Sequence, residues 1–83
     1  MSIIIHPLST EKSIRMMETG NVLTFIVRDS ATKNDVKKEI EKMFNVKVLR
    51  VTTNSLPDGR KKAYVKISPE TPAIDIATRL GMV

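Results

Sequence analysis

The chain has 83 residues, a length that predicts one small domain over residues 1–83 and excludes a catalytic domain with a separate substrate domain. Its 14 basic and 9 acidic residues give a net charge of +5, which favours a polyanionic partner without identifying one. With no cysteine and no apolar run long enough for a bilayer, the sequence excludes a disulfide framework and a thiolate metal site. It predicts a soluble, intracellular protein.

The first part of the chain predicts a strand, a helix and a second strand. Residues 3–5 are apolar and form a short strand that Pro7 stops. Ser9 is predicted to cap a helix that runs to about residue 18, and Gly20 is predicted to follow it as the C′ residue. Residues 22–28 are apolar on both alternating faces, which is typical of a strand inside a sheet.

The middle of the chain carries the clearest helix signal. Thr32 and Asp35 have the spacing of a capping box, and Asn45 is suited to the left-handed residue that ends a helix. Between them, four apolar residues recur at helical spacing and predict one buried stripe, formed by Val36, Ile40, Met43 and Phe44.

The last part of the chain predicts a hairpin and a third helix. Residues 46–53 read as a strand whose alternation slips at residues 48–49, which indicates a bulge or an edge position. A Pro-Asp-Gly turn follows, and residues 62–67 then alternate between apolar and polar without error. Thr71 is predicted to cap the final helix, with Pro72 at its first position and Gly81 at its end. Its buried stripe is predicted to be Ala73, Ile76, Ala77 and Leu80.

The element order β-α-β-α-β-β-α predicts an α/β fold of the split β-α-β type. If the last strand inserts between its two predecessors, the four-stranded sheet is mainly antiparallel with the spatial order 1-2-4-3. Because apolar residues are predicted on both faces of the sheet, helices are expected to cover it as a layered sandwich.

No group of residues supports catalysis or metal binding. His6 is the single histidine and has no cysteine beside it, so a turn histidine with local hydrogen bonds is the favoured interpretation. Glu39 and Glu41 are two residues apart on a helix and cannot share a proton. No glycine-rich phosphate loop is present. The sequence therefore predicts a protein that is not an enzyme and has no cofactor.

The positive charge is concentrated in the predicted hairpin. Between Lys47 and Lys66, six basic residues stand against one acid, a net charge of +5 that equals the charge of the whole chain. A solvated strand face is the alternative interpretation of such a run. The contiguous bases at 60–62 and the interleaved Tyr64 favour contact with RNA, because clustered Lys and Arg most often neutralise phosphates.

The hairpin matches the RNA-recognition-motif signature only in part. Arg60 and residues 63–65 fit it, but Lys61 replaces a glycine, and Lys62 and Ile67 replace aromatic residues that would stack on bases. A surface with many cations and few aromatic rings is predicted to contact the RNA backbone and to recognise its shape, which favours folded RNA as the partner.

Three stretches resemble the universal large-subunit ribosomal protein twenty-three family, which lies at the mouth of the polypeptide exit tunnel. The resemblance covers nearly the whole chain. The stretches that carry it are Pro7-Leu8-Ser9-Thr10-Glu11-Lys12-Ser13, Ala31-Thr32-Lys33-Asn34-Asp35-Val36-Lys37 with Met43-Phe44-x-Val46, and Asn54-Ser55-Leu56 through Lys61-Lys62-Ala63-Tyr64-Val65. Lys-Lys-Ala-Tyr-Val is the most specific piece.

The resemblance implies a structural constituent of the large subunit, cytoplasmic and within the ribosome, that binds large-subunit ribosomal RNA. It also implies large-subunit protein twenty-nine as a neighbour and a docking site for nascent-chain factors at Glu11. From the residues alone, the favoured interpretation of Glu11 is a first-turn acid that interacts with the helix dipole. The chain resembles archaeal members of the family in three features. These are its short hairpin connection, its ending at 73–81 and the lack of a long basic N-terminal arm. The signal recognition particle is then the expected docking factor, in place of trigger factor.

The residues predicted to bind RNA are Lys33, Lys47, Arg50, Asn54, Arg60, Lys61, Lys62, Tyr64 and Lys66. The competing hypothesis is a stand-alone split β-α-β module that regulates by binding another protein. It explains the predicted fold but not the segregated charge. No membrane and no small-molecule substrate is predicted.

Overall fold

The computed structural model describes residues 4–80, and for Ile5 the backbone alone. Seven elements follow one another along this range in the predicted order. They are β1 (Ile4–Pro7), α1 (Glu11–Gly20), β2 (Val22–Val27), α2 (Lys33–Phe44), β3 (Val48–Ser55), β4 (Lys61–Ile67) and α3 (Ala73–Arg79).

The four strands form one sheet in the order β1-β2-β4-β3, which confirms the predicted fold. All three neighbouring pairs are antiparallel. β4 lies between β2 and β3, so that Ala63 pairs with Phe25 on one side and with Thr53 on the other. The last strand in the sequence, β4, therefore lies inside the sheet, and β3, which precedes it, forms an edge.

One face of the sheet carries the hydrophobic core. All three helices contribute buried side chains to the same cluster as this face. The helices supply Met17, Val36, Ile40, Ala73, Ile76 and Ala77, and the strands supply Leu23, Phe25, Val27, Val48, Val51, Ala63, Val65 and Ile67. The opposite face is covered over β2, where Thr24 and Ile26 are buried, while β3 and β4 present polar side chains on it.

The first helix begins one residue later than predicted. Thr10, not Ser9, is the N-cap: its hydroxyl accepts from the Ser13 amide at 3.1 Å, and the Ser13 hydroxyl accepts from the Thr10 amide at 2.8 Å. The Ser13 hydroxyl also donates to the Leu8 carbonyl at 3.0 Å. These reciprocal bonds require a side-chain acceptor at the N-cap and another three residues later. Thr10 and Ser13 provide both, whereas Ser9 is followed at that spacing by Lys12, which cannot accept.

The second helix largely confirms the sequence analysis. Thr32 and Asp35 form the predicted capping box, and the Thr32 amide that donates to the Asp35 carboxylate is the main reason why the pKa of Asp35 is lowered. Asn45 ends the helix with a φ of 54°. Met43 is the exception, because 47% of it is exposed. It lies at the border of the stripe, close to the helix end.

The hairpin also follows the prediction. The register shifts between Val48 and Arg50, which confirms the bulge, and Gly59 has a φ of 90° in a turn closed by its amide to the Leu56 carbonyl at 3.1 Å. β3 begins and ends two residues later than predicted, because its pairing with β4 continues to Ser55 and Lys61.

The end of α1 and the start of α3 are organised by Asn21. Gly20 was the expected C′ residue, but it is the last residue of the helix, and Asn21 adopts the left-handed conformation with a φ of 55°. Its amide nitrogen donates to three carbonyl oxygens, those of Ile67 at 2.9 Å, Thr71 at 3.2 Å and Ser68 at 3.3 Å.

The prediction for the start of α3 is wrong at Thr71. The N-cap is Pro72, which has no side-chain oxygen to cap the helix. The Ala73 amide instead donates to Oδ1 of Asn21 at 2.6 Å, so the side chain of a residue 52 positions earlier caps the helix. The predicted stripe is confirmed, with Leu80 partly buried, and Gly81 lies outside the described residues.

We expect Asn21→Gly to lower the free energy of unfolding by about 2–4 kcal/mol, because the left-handed φ survives while four side-chain hydrogen bonds are lost. Asn21→Asp should destabilise at least as much, since a carboxylate oxygen would face three carbonyl oxygens. Urea unfolding measures both variants.

Asn45→Gly is the matched control. Asn45 has the same left-handed backbone at the end of α2, without a side-chain hydrogen bond among the described residues. Its free energy of unfolding should change by about 0.5 kcal/mol or less. Equal losses at the two sites would show that backbone conformation alone, not the side-chain bonds of Asn21, stabilises the fold.

Candidate nucleic-acid interface

The face of the sheet opposite the core is the candidate interface, and we call it the open face. The strand register brings three residues from each of three strands onto it. They are Val22, Thr24 and Ile26 of β2, Lys62, Tyr64 and Lys66 of β4, and Arg50, Thr52 and Asn54 of β3.

Five of the nine residues predicted to bind RNA come together on the open face, namely Arg50, Asn54, Lys62, Tyr64 and Lys66. Arg50 and Lys66 are direct cross-strand partners. Like charges in this position destabilise a sheet. None of the nine open-face residues is acidic, so nothing on the face itself offsets that repulsion. An anion bound across the two side chains would offset it, and this favours a phosphate-binding surface.

The first helix adds a wall to the open face that the sequence analysis did not identify. Lys12 and Met16 are one turn apart on α1 and line a groove of about 260 Å³ together with open-face residues. We call it the Tyr64 groove, and its lining is Lys12, Met16, Val22, Arg50, Thr52, Tyr64 and Lys66. The spacing of Lys12 and Met16 places them on one side of a helix, but their position over the sheet depends on how α1 packs.

Arg60 lies in the hairpin turn with its charge partly compensated. Its Nε donates to the Asp58 carboxylate at 2.8 Å, and its backbone amide donates to the other carboxylate oxygen at 3.1 Å. The backbone amide is the main reason why the pKa of Asp58 is lowered. Both side chains are about half exposed. Arg60 therefore presents its remaining N–H groups to solvent at one end of the sheet.

Lys61 lies on the other side of the sheet from Lys62. It pairs with Val27, a core residue, and its Nζ donates to the Ala31 carbonyl at 3.0 Å. The hydrogen bond fixes this ammonium beside the loop that precedes α2. Lys61 is thus held as part of the fold, away from the open face.

The remaining predicted residues are dispersed. Lys33 is exposed in the first turn of α2, within the helical layer, and Lys47 is exposed in the loop before β3. Glu11 is at the first position of α1 with 90% of its side chain exposed, and its carboxylate pairs with Arg15 at 3.3 Å. Glu11 does not line the Tyr64 groove, although its neighbour Lys12 does.

Within residues 4–80, no three histidine, aspartate or glutamate side chains are grouped so that they could hold a metal ion. No helix in that range has the length and apolar character needed to cross a bilayer.

Comparison with known proteins identifies the family. The family model described as ribosomal protein L23 matches residues 2–76. The chain belongs to the ribosomal protein L23 family. It is also similar to the large ribosomal subunit protein uL23 of Trypanosoma brucei brucei, with 44% identity over 81 residues.

That L23-family relative is the longer protein. The match covers 98% of this chain and 49% of the relative, so the chain spans about half its length. The comparison confirms the family expected from the three sequence stretches. Its archaeal type stays a prediction, since the similar protein is from a trypanosome.

Two adjacent lysines of this L23-family chain provide a matched test of the site. Lys61→Met should lower the free energy of unfolding by about 1 kcal/mol, because the Ala31 carbonyl loses its donor. Lys62→Met makes the same change in charge on the open face and should stay within about 0.5 kcal/mol of the wild type. Urea unfolding of both variants checks this. A larger loss from Lys62→Met would contradict the assignment of the two side chains.

Proposed function

We propose that this protein is a structural, non-catalytic constituent of the large ribosomal subunit that binds large-subunit ribosomal RNA through its open face. The observation that carries the proposal is the grouping of Arg50, Lys62 and Lys66 on a face that has no acidic residue. Membership of the ribosomal protein L23 family supports it independently.

The geometry favours recognition of RNA by its backbone. Cations on neighbouring strands are separated by the strand spacing, about 4.8 Å, and by the two-residue repeat along each strand. A row of such cations can contact successive phosphates of a folded RNA. Among the nine residues of the open face, Tyr64 alone has an aromatic ring, and one ring is too few for the row of stacked bases that single-strand binders use.

The position in the ribosome is the second part of the proposal. We place the protein in the cytoplasmic ribosome at the polypeptide exit tunnel, beside large-subunit protein twenty-nine, because the family resemblance implies that location. Exposed Glu11 at the start of α1 is then the residue that docks a nascent-chain factor, with the signal recognition particle as the expected partner. Its side chain is 90% exposed and does not line the Tyr64 groove, which leaves it available to a factor while the open face is on RNA.

A stand-alone protein-interaction module is the competing function. Such a module would use the same fold, but it gives no reason for the unopposed cations of the open face. Cosedimentation with large subunits at moderate salt separates the two: retention supports the ribosomal constituent, and complete release would favour the module.

The open-face cations should dominate the salt dependence of RNA binding. With the cognate large-subunit RNA fragment, we expect a log-log slope of about −3 to −5. Replacing Arg50, Lys62 and Lys66 by Gln should make the slope shallower by about two to three units, because three phosphate contacts no longer release counterions.

The matched control replaces three α2 lysines, Lys37, Lys38 and Lys42, by Gln. These exposed side chains are on the helical layer and are interspersed with Glu39 and Glu41, so the slope should change by about one unit or less. Equal changes from both triple variants would mean that the whole cationic surface binds RNA diffusely, and the assignment to the open face would be wrong.

Factor docking is tested separately with Glu11→Ala. Ribosomes that carry this variant should bind the signal recognition particle more weakly, while RNA binding by the variant is unchanged, since Glu11 is outside the open face. Arg15→Ala removes the other half of the ion pair and is the control for a change in α1 itself. Undiminished particle binding by the Glu11→Ala ribosomes would refute the docking role.

A further inference from the structure

The Tyr64 groove has a shape and lining that phosphate contacts alone do not require. We propose that it receives one unstacked base of the bound RNA, with the base against the Tyr64 ring and its phosphate at Arg50 and Lys66. This inference rests on the proposed function, since it names the RNA feature that the open face takes.

The floor of the groove offers a ring with small neighbours. Tyr64 is half-buried, and the strand register places Thr24 on one side of it and Thr52 on the other. Short β-branched neighbours leave room beside an aromatic ring on a sheet surface. Met16 forms the wall, and its thioether is a flexible, polarizable surface suited to a flat aromatic ligand.

The charges of the lining select a nucleotide among flat ligands. Three of its seven residues are cations, Lys12, Arg50 and Lys66, and none is acidic. A volume of about 260 Å³ lies just below the range of pockets for drug-sized ligands, about 300–1,000 Å³. The groove therefore fits one base with its phosphate on the rim, and not a longer stacked segment.

A buried hydroxyl lies in a small cavity beside the Tyr64 groove. Oγ1 of Thr24 makes no hydrogen bond within the described part of the chain, although only 2% of the residue is exposed. It lines a second cavity, of about 20 Å³, that shares Lys12, Met16 and Tyr64 with the Tyr64 groove. An orphaned buried hydroxyl is costly, and a cavity of this volume has room for about one water molecule and not for a base. A water there would satisfy the hydroxyl at the border of the groove.

The test compares Tyr64→Leu with Tyr64→Phe on the cognate large-subunit RNA fragment. Loss of the ring should weaken binding about fivefold to 150-fold, the effect of one base–aromatic stack. The salt slope should not change, because no phosphate contact is removed. Tyr64→Phe keeps the ring and should bind within about twofold of the wild type.

A second variant fills the groove without altering a buried residue. Thr52→Trp places a large side chain at an exposed strand position, where aromatic residues are tolerated, and should reduce affinity to a similar extent. Ser55→Trp is its control, because Ser55 is exposed on the same strand but pairs with Lys61 on the other side of the sheet.

The outcomes separate the two proposals. If the wild type shows no salt-dependent preference for the large-subunit RNA, the proposed function fails. If the wild type binds as expected but Tyr64→Leu and Thr52→Trp bind equally well, RNA binding stands and the base-receiving groove is refuted. Weaker binding by both, with an unchanged slope and intact Tyr64→Phe and Ser55→Trp variants, supports the inference.

Discussion

The fold depends on one asparagine that joins four elements. Asn21 ends α1 in a left-handed conformation that starts β2, and its backbone carbonyl accepts from the Ile67 amide at the end of β4. Its side chain then holds the loop after β4 and supplies the missing cap of α3. Because both ends of its amide are used, no residue with only a donor or only an acceptor can make the same connections.

This junction determines which side of the sheet is available for function. By fixing where α1 ends and α3 begins, it sets two of the three helices against the core face, where Met17 and Ala73 are buried in one cluster. The polar residues of β3 and β4 then have only the edge of α1 beside them. The arrangement places the main cluster of buried apolar side chains on one face, and β3 and β4 carry cations on the other face.

Local signals made most of the fold predictable. The Thr32 and Asp35 box, the turn at Gly59 and the bulge after Val48 each depend on residues close in sequence, and each is present as predicted. The start of α3 was predicted wrongly because its cap comes from Asn21, which no local pattern around Thr71 reveals.

The candidate site, like the fold, was predictable only where residues close in sequence determine it. Alternation along 62–67 placed Lys62, Tyr64 and Lys66 together, and these lie on the open face. The position of Lys61 depends on the distant Ala31 carbonyl, and the wall of Lys12 and Met16 depends on helix packing. Contacts between residues far apart in sequence have no signature in a single chain, so these three residues required the structure.

The two edge strands of the sheet affect how readily the free protein aggregates before it binds a partner. β3 and β1 are the sheet edges, and each has an irregular register, between Val48 and Arg50 and between Ile4 and His6. Bulges, a charged side chain such as Arg50 and a terminal Pro7 all disfavour the pairing of one sheet with another. A newly synthesised copy is thereby protected from strand-to-strand aggregation while its cationic face is still unoccupied.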